Sequence, residues 1–336
     1  MVLRALLALA ATRGAASWSG PKTTPGVAEP GTASVVVDGE PMPAHWFTGG
    51  SFNSYTGAPG RPPALAESAL ANWVTTVQAA SDSGVRIFEP LLNQWRPDNS
   101  TADGVTDATR TLLDATLQVR GDALFVLRIH VCPEVHHMYR EGRNATDPPQ
   151  DDGAHLPSPA DAEWVPKASA GLIALLAAID ARYPGRVIGL HLTALQSGEW
   201  SQPLPAVGNT DYSETFRRLY CARMNESASC TIPSTVERNV QRTGTASVCA
   251  ATPTPAADRV VGANMLHVDD VSEAIAGVAK NVKAATENKL LILIFYGYLQ
   301  AGSYEQDCEC CAATGTFQPP RCRLRLTQAV AANRRR

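Results

Sequence analysis

The chain lacks any clustered stripe of one charge, and beyond its first residues it lacks an apolar run long enough to cross a bilayer. Lysine and arginine total 29 against 32 Asp and Glu, for a net charge of −3. The basic residues are scattered until Arg334, Arg335 and Arg336. A nucleic-acid footprint gathers them on one face, so no nucleic-acid partner is expected, and the terminal triple reads as a solvated tail. A transmembrane helix needs about 20 consecutive apolar residues, and none is expected here. No G-x-G-x-x-G follows a strand-like run, and G-x-S-x-G, the Walker loop and H-E-x-x-H are all missing. These absences remove the markers of dinucleotide binding, nucleophile-elbow hydrolysis, phosphate-loop chemistry and zinc proteolysis. No cofactor is expected.

What is present suits one large globular core: 336 residues, 44% hydrophobic and 18% charged. Arg4, the apolar run Ala5 to Ala11, and the small residues Ala15, Ala16 and Ser17 form the three regions of a secretory signal peptide, residues 1–17. Arg13 and the nearby Ser and Thr residues also suit an organelle transit peptide, which stays open as the alternative. Three glycosylation sequons begin at Asn99, Asn144 and Asn225, each in a polar, turn-rich segment. Eight cysteines agree with an oxidising compartment. Cys221, Cys230 and Cys249 are close enough in sequence to pair, although spacing does not give the connectivity.

Residues 18–33 are rich in Pro, Gly and Thr and read as a linker. Val35-Val36-Val37 running into Asp38-Gly39 signals an N-terminal β-hairpin. A strand is expected to lead from His45 into a loop near Tyr55. Helical stripes then alternate with short, wholly apolar strands. The helices are expected over Ala64–Ser83, Thr106–Val119, Asp161–Tyr183 and Asp270–Asn288. The strands fall over Val85–Phe88, Ala123–Ile129, Val187–Leu192 and Lys289–Phe295. Such alternation predicts an α/β fold with a parallel sheet. Chemistry-bearing residues near the strand ends (Glu89, Arg128, His130, Gln196, Glu199, Tyr296 and Tyr298) favour a (β/α)-barrel, whose sites gather there. The segment 201–262 reads as an insertion carrying short helices and three cysteines.

The sharpest segment is Arg186-Val-Ile-Gly-Leu-His-Leu-Thr-Ala-Leu-Gln-Ser-Gly-Glu-Trp200. A buried strand delivers Glu199, flanked by Gly198 and Trp200, to a loop at the sheet edge. A carboxylic acid in partly apolar surroundings suits protonation of a leaving oxygen, and Trp200 suits stacking on a sugar. An exposed, salt-bridging Glu fits the same residues. Arg128 suits a substrate hydroxyl or the orientation of Glu199, but equally a structural ion pair. Glu89 reads as a sugar contact or as the partner of Arg128. Tyr296 and Tyr298 suit either the barrel mouth or the core. His130, Cys132, His136 and His137 have no tight zinc spacing, and the tail cysteines Cys308, Cys310, Cys311 and Cys322 suit zinc or disulfides; no metal is expected.

This segment, with Asp211-Tyr-Ser-Glu-Thr-Phe-Arg-Arg218, Val35-Val-Val-Asp-Gly-Glu-Pro41, Ile232-Pro-Ser-Thr-Val-Glu-Arg238 and Phe295-Tyr-Gly-Tyr-Leu299, resembles glycoside hydrolase family 42, the β-galactosidase-like enzymes. The resemblance runs from Val35 to Leu299 in the family's order. It implies a (β/α)8 TIM-type barrel, retaining hydrolysis of a β-linked sugar, and Glu199 as general acid/base. It further implies a sugar pocket lined by Phe52, Glu89, Arg128, Gln196, Trp200 and Tyr296.

Two departures stand out. The wider clan places Asn before the acid/base, where this chain has Gly198, with Gln196 as a substitute donor. A retaining enzyme also needs a second carboxylate about 5 Å from the first. Only five strands precede Leu299, and the 37 residues after it are too few for three more βα units of roughly 30 residues. The nucleophile is therefore unidentified, and an incomplete barrel over residues 34–302 is expected, followed by an irregular tail, 303–336. Glu305 and Glu309 have no strand before them to position either as nucleophile. Two functions remain: a retaining β-glycosidase, or a catalytically dead remnant that binds carbohydrate.

Overall fold

The computed structural model describes residues 17–28, 32–49, 67–92, 94–133, 138–140, 155–194, 211, 213–227, 230–233 and 255–294. In chain order the elements are β1 (Thr23–Ala28), β2 (Thr32–Val37), β3 (Glu40–Pro43), β4 (Trp46–Gly49), α1 (Glu67–Asp82), β5 (Ile87–Leu92), α2 (Asp107–Val119) and β6 (Leu124–His130). After them come β7 (Met138–Arg140), β8 (His155–Pro157), α3 (Trp164–Arg182), β9 (Val187–Thr193), α4 (Glu214–Arg223), α5 (Pro255–Ala285) and β10 (Leu291–Ile294).

Five strands form one parallel sheet in the order β4-β5-β6-β9-β10. Each strand lies beside the one before it, and the order never reverses. A doubly wound sheet reverses at a switch point, whereas a barrel adds strands in one direction. Crossovers of one hand in one direction put every helix on the same side. The buried residues divide accordingly. Phe88, Leu92, Phe125, Leu127, Ile129, Leu190 and Leu192 pack with Trp73, Val77, Leu112, Leu113, Leu172, Leu175, Ile179, Ile275, Val278 and Val282 of the helices. Ile87, Leu124, Val126 and Ile188 form a separate, smaller cluster with Met42. The sheet is thus an arc of a (β/α)-barrel, with a helix-covered outer face and a distinct inner face; no closed barrel forms among the described residues.

Local chemistry sets the element ends. Thr106 caps α2 by accepting the Thr109 N–H, with Asp107 in the positively polarised first turn. Gly84 and Gly185 take positive φ (86° and 73°) where α1 and α3 hand over to strands, a conformation that suits glycine. The indole N–H of Trp73 donates to Thr116 at 3.0 Å and fixes α1 against α2. The α3 helix is long and apolar enough to pass for a membrane span by composition. Its Trp164, Ala168, Leu172, Leu175, Leu176 and Ile179 are nevertheless buried in the core of this fold.

Two expectations change, and one pairing left open is settled. The segment read as a linker, 18–33, contains β1, paired antiparallel to β2. Its Pro and Gly residues are tolerated because β1 is an outer strand of a three-stranded sheet. The hairpin itself forms as expected: Val37 pairs with Glu40 across Asp38 and Gly39, both at positive φ as the tight turn demands. The second change is in α5, which begins at Pro255 rather than Asp270. Its added turns put Ala263 and Leu266 on Phe216, Tyr220 and Cys221 of α4, so one helix serves two apolar clusters. The settled pairing joins Cys221 to Cys230 in a disulfide, while Cys249 lies outside the described residues.

The N-terminal residues lace the arc at the ends where its strands begin. Trp18 is buried, and the backbone N–H and hydroxyl of Ser19 both donate to Asp180, at 2.9 and 2.7 Å. Lys289 Nζ donates to the Trp18 carbonyl at 3.0 Å, and Thr23 N–H donates to the Lys289 carbonyl at 2.7 Å. Leu172 lies at 0% exposure in the outer core, so Leu172→Ala is expected to cost about 2–5 kcal/mol and lower the urea midpoint. Val27, at 77% exposure, serves as the control: its change to Ala should stay within about 0.5 kcal/mol. Equal midpoints for the two variants would contradict this division of core and surface.

Candidate active site

One irregularity decides which side chains face inward. Between β6 and β9, Phe125 pairs with Val187, but Val126 pairs with Gly189, leaving Ile188 as an extra residue. This β-bulge resets the alternation of β9. Val187, Leu190 and Leu192 join the outer core, whereas Ile188 joins Leu124 and Val126. His191 and Thr193 thereby share the inner face with Arg128 and His130, their register partners. Glycine suits position 189, where a Cβ would lie 3.2 Å from Val126 Cγ2 and 3.3 Å from the Leu291 carbonyl.

Glu89 is the centre of the inner face. It is 2% exposed, and a buried carboxylate must be paired. Thr48 Oγ1 donates to its Oε2 at 3.1 Å, and His191 Nδ1 lies 2.6 Å from its Oε1. The contact to His191 passes over the intervening strand β6. Glu89 does not pair with Arg128 among the described residues. Arg128 stands opposite Leu91, two positions nearer the strand's C-terminal end than Glu89. Of the two readings of Glu89 left open by the sequence, pairing with Arg128 is replaced by pairing with His191 and Thr48.

Arg128 is half-buried, and its Nε has no hydrogen-bond partner among the described residues. The same holds for Nε2 of His191 and Oγ1 of Thr193. His130 is held low, at about 4, by desolvation and by the positive charge of Arg128, so it is neutral at neutral pH.

Of the expected site residues, Glu89 and Arg128 therefore lie on one face of the sheet. Phe52, Gln196, Glu199, Trp200, Tyr296 and Tyr298 lie outside the described residues, as do His136, His137 and the tail cysteines. Among the described residues no group of His, Cys, Asp and Glu has metal-holding geometry. His191 was missed as a site residue. The available signal was a lone imidazole inside the apolar run Val187–Leu192, but unbroken alternation turns it toward the helices.

A second polar cluster joins α4, α5 and the residues before α3. Asp211 accepts from the Ser158 hydroxyl and from the Ser213 N–H, the latter at 2.8 Å. Asp270 on α5 is pushed up to about 7 by burial, then by the charges of Asp211, Glu273 and Asp269, against the opposing pull of Arg223. Arg223 itself bonds Asp269 at 2.6 Å.

No family model and no curated protein matches the chain. The likeness to family 42 thus rests on the motifs quoted above. Among solved structures, the catalytic domain of β-amylase from Paenibacillus polymyxa is similar, with 12% identity and a TM-score of 0.38. The match covers 68% of this chain and 64% of that one.

The depressed His130 value carries a sign. Below its ordinary pKa of 6.5, the unfolded chain takes up a proton that the folded chain refuses down to about 4. Stability is therefore full above that window and falls as the pH drops through it, by at most about 3 kcal/mol. His130→Gln should flatten the change in urea midpoint between pH 7 and pH 4.5. An unchanged acid slope in the variant would count against this assignment.

Proposed function

We propose that the chain is a glycoside hydrolase acting on a β-linked sugar, β-galactoside-like, with retention and with Glu199 as general acid/base. The observation that carries the reading is the single-direction parallel sheet, whose inner face bears Thr48, Glu89, Arg128 and His191. Glu199 follows the last residue of β9 by six positions in the sequence, and barrel enzymes carry their catalytic groups after the C-terminal ends of strands. The quoted motifs supply the rest: Arg128 and Gln196 for sugar hydroxyls, and Phe52, Trp200 and Tyr296 for its apolar faces. Glu89, buried and bonded through both oxygens, supports the others and does not touch sugar.

A second reading, a carbohydrate-binding protein without hydrolysis, is favoured by one specific observation. Among the described residues Glu89 is the only carboxylate on the inner face, and its bonds to Thr48 and His191 leave it unsuited to attack a sugar carbon. On the first reading, the nucleophile comes from residues outside that face.

We also propose that the protein is secreted behind a signal peptide over residues 1–17. The disulfide Cys221–Cys230 supports an oxidising compartment, and the sequon residues Asn99 and Asn225 are exposed.

Purified full-length chain incubated with an aryl β-galactoside decides between the readings. Hydrolysis with a β-configured first product, reduced at least about 100-fold by Glu199→Gln, supports the enzyme. Sugar binding without turnover supports the binding protein. Turnover unaffected by Glu199→Gln removes Glu199 from the mechanism.

A further inference from the structure

Two nitrogens on the inner face stand at paired positions of neighbouring strands, Arg128 on β6 opposite His191 on β9. Nε of Arg128 and Nε2 of His191 are both buried, and neither has a hydrogen-bond partner among the described residues. His191 itself is 8% exposed. Buried polar atoms are nearly always satisfied, so an unsatisfied pair side by side points to a group that completes them.

The surrounding bonds specify that group. Glu89 receives the Thr48 hydroxyl on Oε2 and stands 2.6 Å from His191 Nδ1 through Oε1. With Nδ1–H given to the Glu89 carboxylate, the neutral form of the His191 imidazole has its lone pair on Nε2. The Arg128 Nε always carries hydrogen and only donates. Neighbouring strands lie about 4.8 Å apart, so the two side chains leave adjacent backbone positions on one face. A hydroxyl group meets both, its hydrogen going to Nε2 and its oxygen receiving the Nε–H. An anion would satisfy Arg128 but oppose the lone pair on Nε2. A cation would be repelled by the guanidinium.

We propose that His191 and Arg128 form a hydroxyl-recognition subsite for a neutral, polyhydroxylated ligand, a sugar ring, with Glu89 and Thr48 as positioning residues that fix the imidazole tautomer. The inference rests on the carbohydrate reading above and deepens it, adding His191 to the residues that touch sugar.

The test is titration of the full chain with D-galactose and with D-glucose, following the ring-nitrogen NMR signal of His191 alongside calorimetry. His191→Asn is the informative variant. Its amide nitrogen can replace Nδ1 and keep a donor on Glu89, while nothing replaces Nε2. The expected result is a shift of the wild-type Nε2 signal on adding sugar, and at least a tenfold rise in the dissociation constant for His191→Asn at an unchanged melting temperature. Should that variant fold poorly, Arg128→Met, which alters a half-buried side chain, is expected to show the same loss. Sugar binding that leaves the Nε2 signal unmoved and is equal in wild type and variant overturns the subsite while sparing the carbohydrate reading. Failure of wild type to bind either sugar also overturns it, and aryl galactoside hydrolysis then judges the enzyme reading separately.

Discussion

The inner face depends on one buried charge. Glu89 sits in β5 with almost no access to solvent, and its two oxygens reach in different directions, to Thr48 on β4 and across β6 to His191 on β9. A carboxylate in such a place is tolerated only when its bonds are met, so the partners are constrained as strongly as the charge. The constraint propagates outward. His191 reaches the inner face only because Ile188 is an extra residue in β9, and Gly189 fits the close approach beside that bulge. Removing one partner leaves an uncompensated charge in the sheet, which is costlier than the pair is favourable.

Inner and outer faces divide the work along the strands. The first residues of the arc, Ile87, Leu124 and Val126, close over Met42 from the N-terminal three-stranded sheet. Further along the inner face polar residues enter, Glu89, Arg128, His130, His191 and Thr193, beside Leu91 and Leu293. The outer face stays apolar throughout against the helices. A packed apolar beginning and polar groups further along match the arrangement of barrel enzymes, whose sites lie at the C-terminal ends of the strands.

Much of this was legible in the sequence. The alternating helix and strand pattern and the Asp38-Gly39 turn are local signals, and local physics decides them. Where tertiary contacts decide, the pattern misled. Pro and Gly between Pro21 and Ala33 suggested a linker, yet an outer strand accepts both. The α5 helix looked shorter because its apolar stripe changes partners, from the α4 cluster around Phe216 to the sheet core around Val278. Glu89 was read as a sugar contact or the partner of Arg128, and its bond to His191 was not foreseen, because a one-residue bulge is invisible to strict alternation. Glu199 stood out through its flanking Gly198 and Trp200 and through its place after β9, features that sequence alone supplies.

The N-terminal strap has a consequence for the order of assembly. Ser19 bonds to Asp180, 161 residues later, and Lys289 reaches back 271 residues to Trp18. Synthesis proceeds from the N-terminus, so the strap emerges long before anything it docks on exists. Contacts of such sequence separation form slowly, after local helices and neighbouring strands have paired. The β1–β3 sheet can fold early on its own short connections, but its attachment to the arc waits for β10. A segment made before the arc is therefore among the last to be fastened to it, and until then the beginnings of the barrel strands remain uncovered to any competing chain.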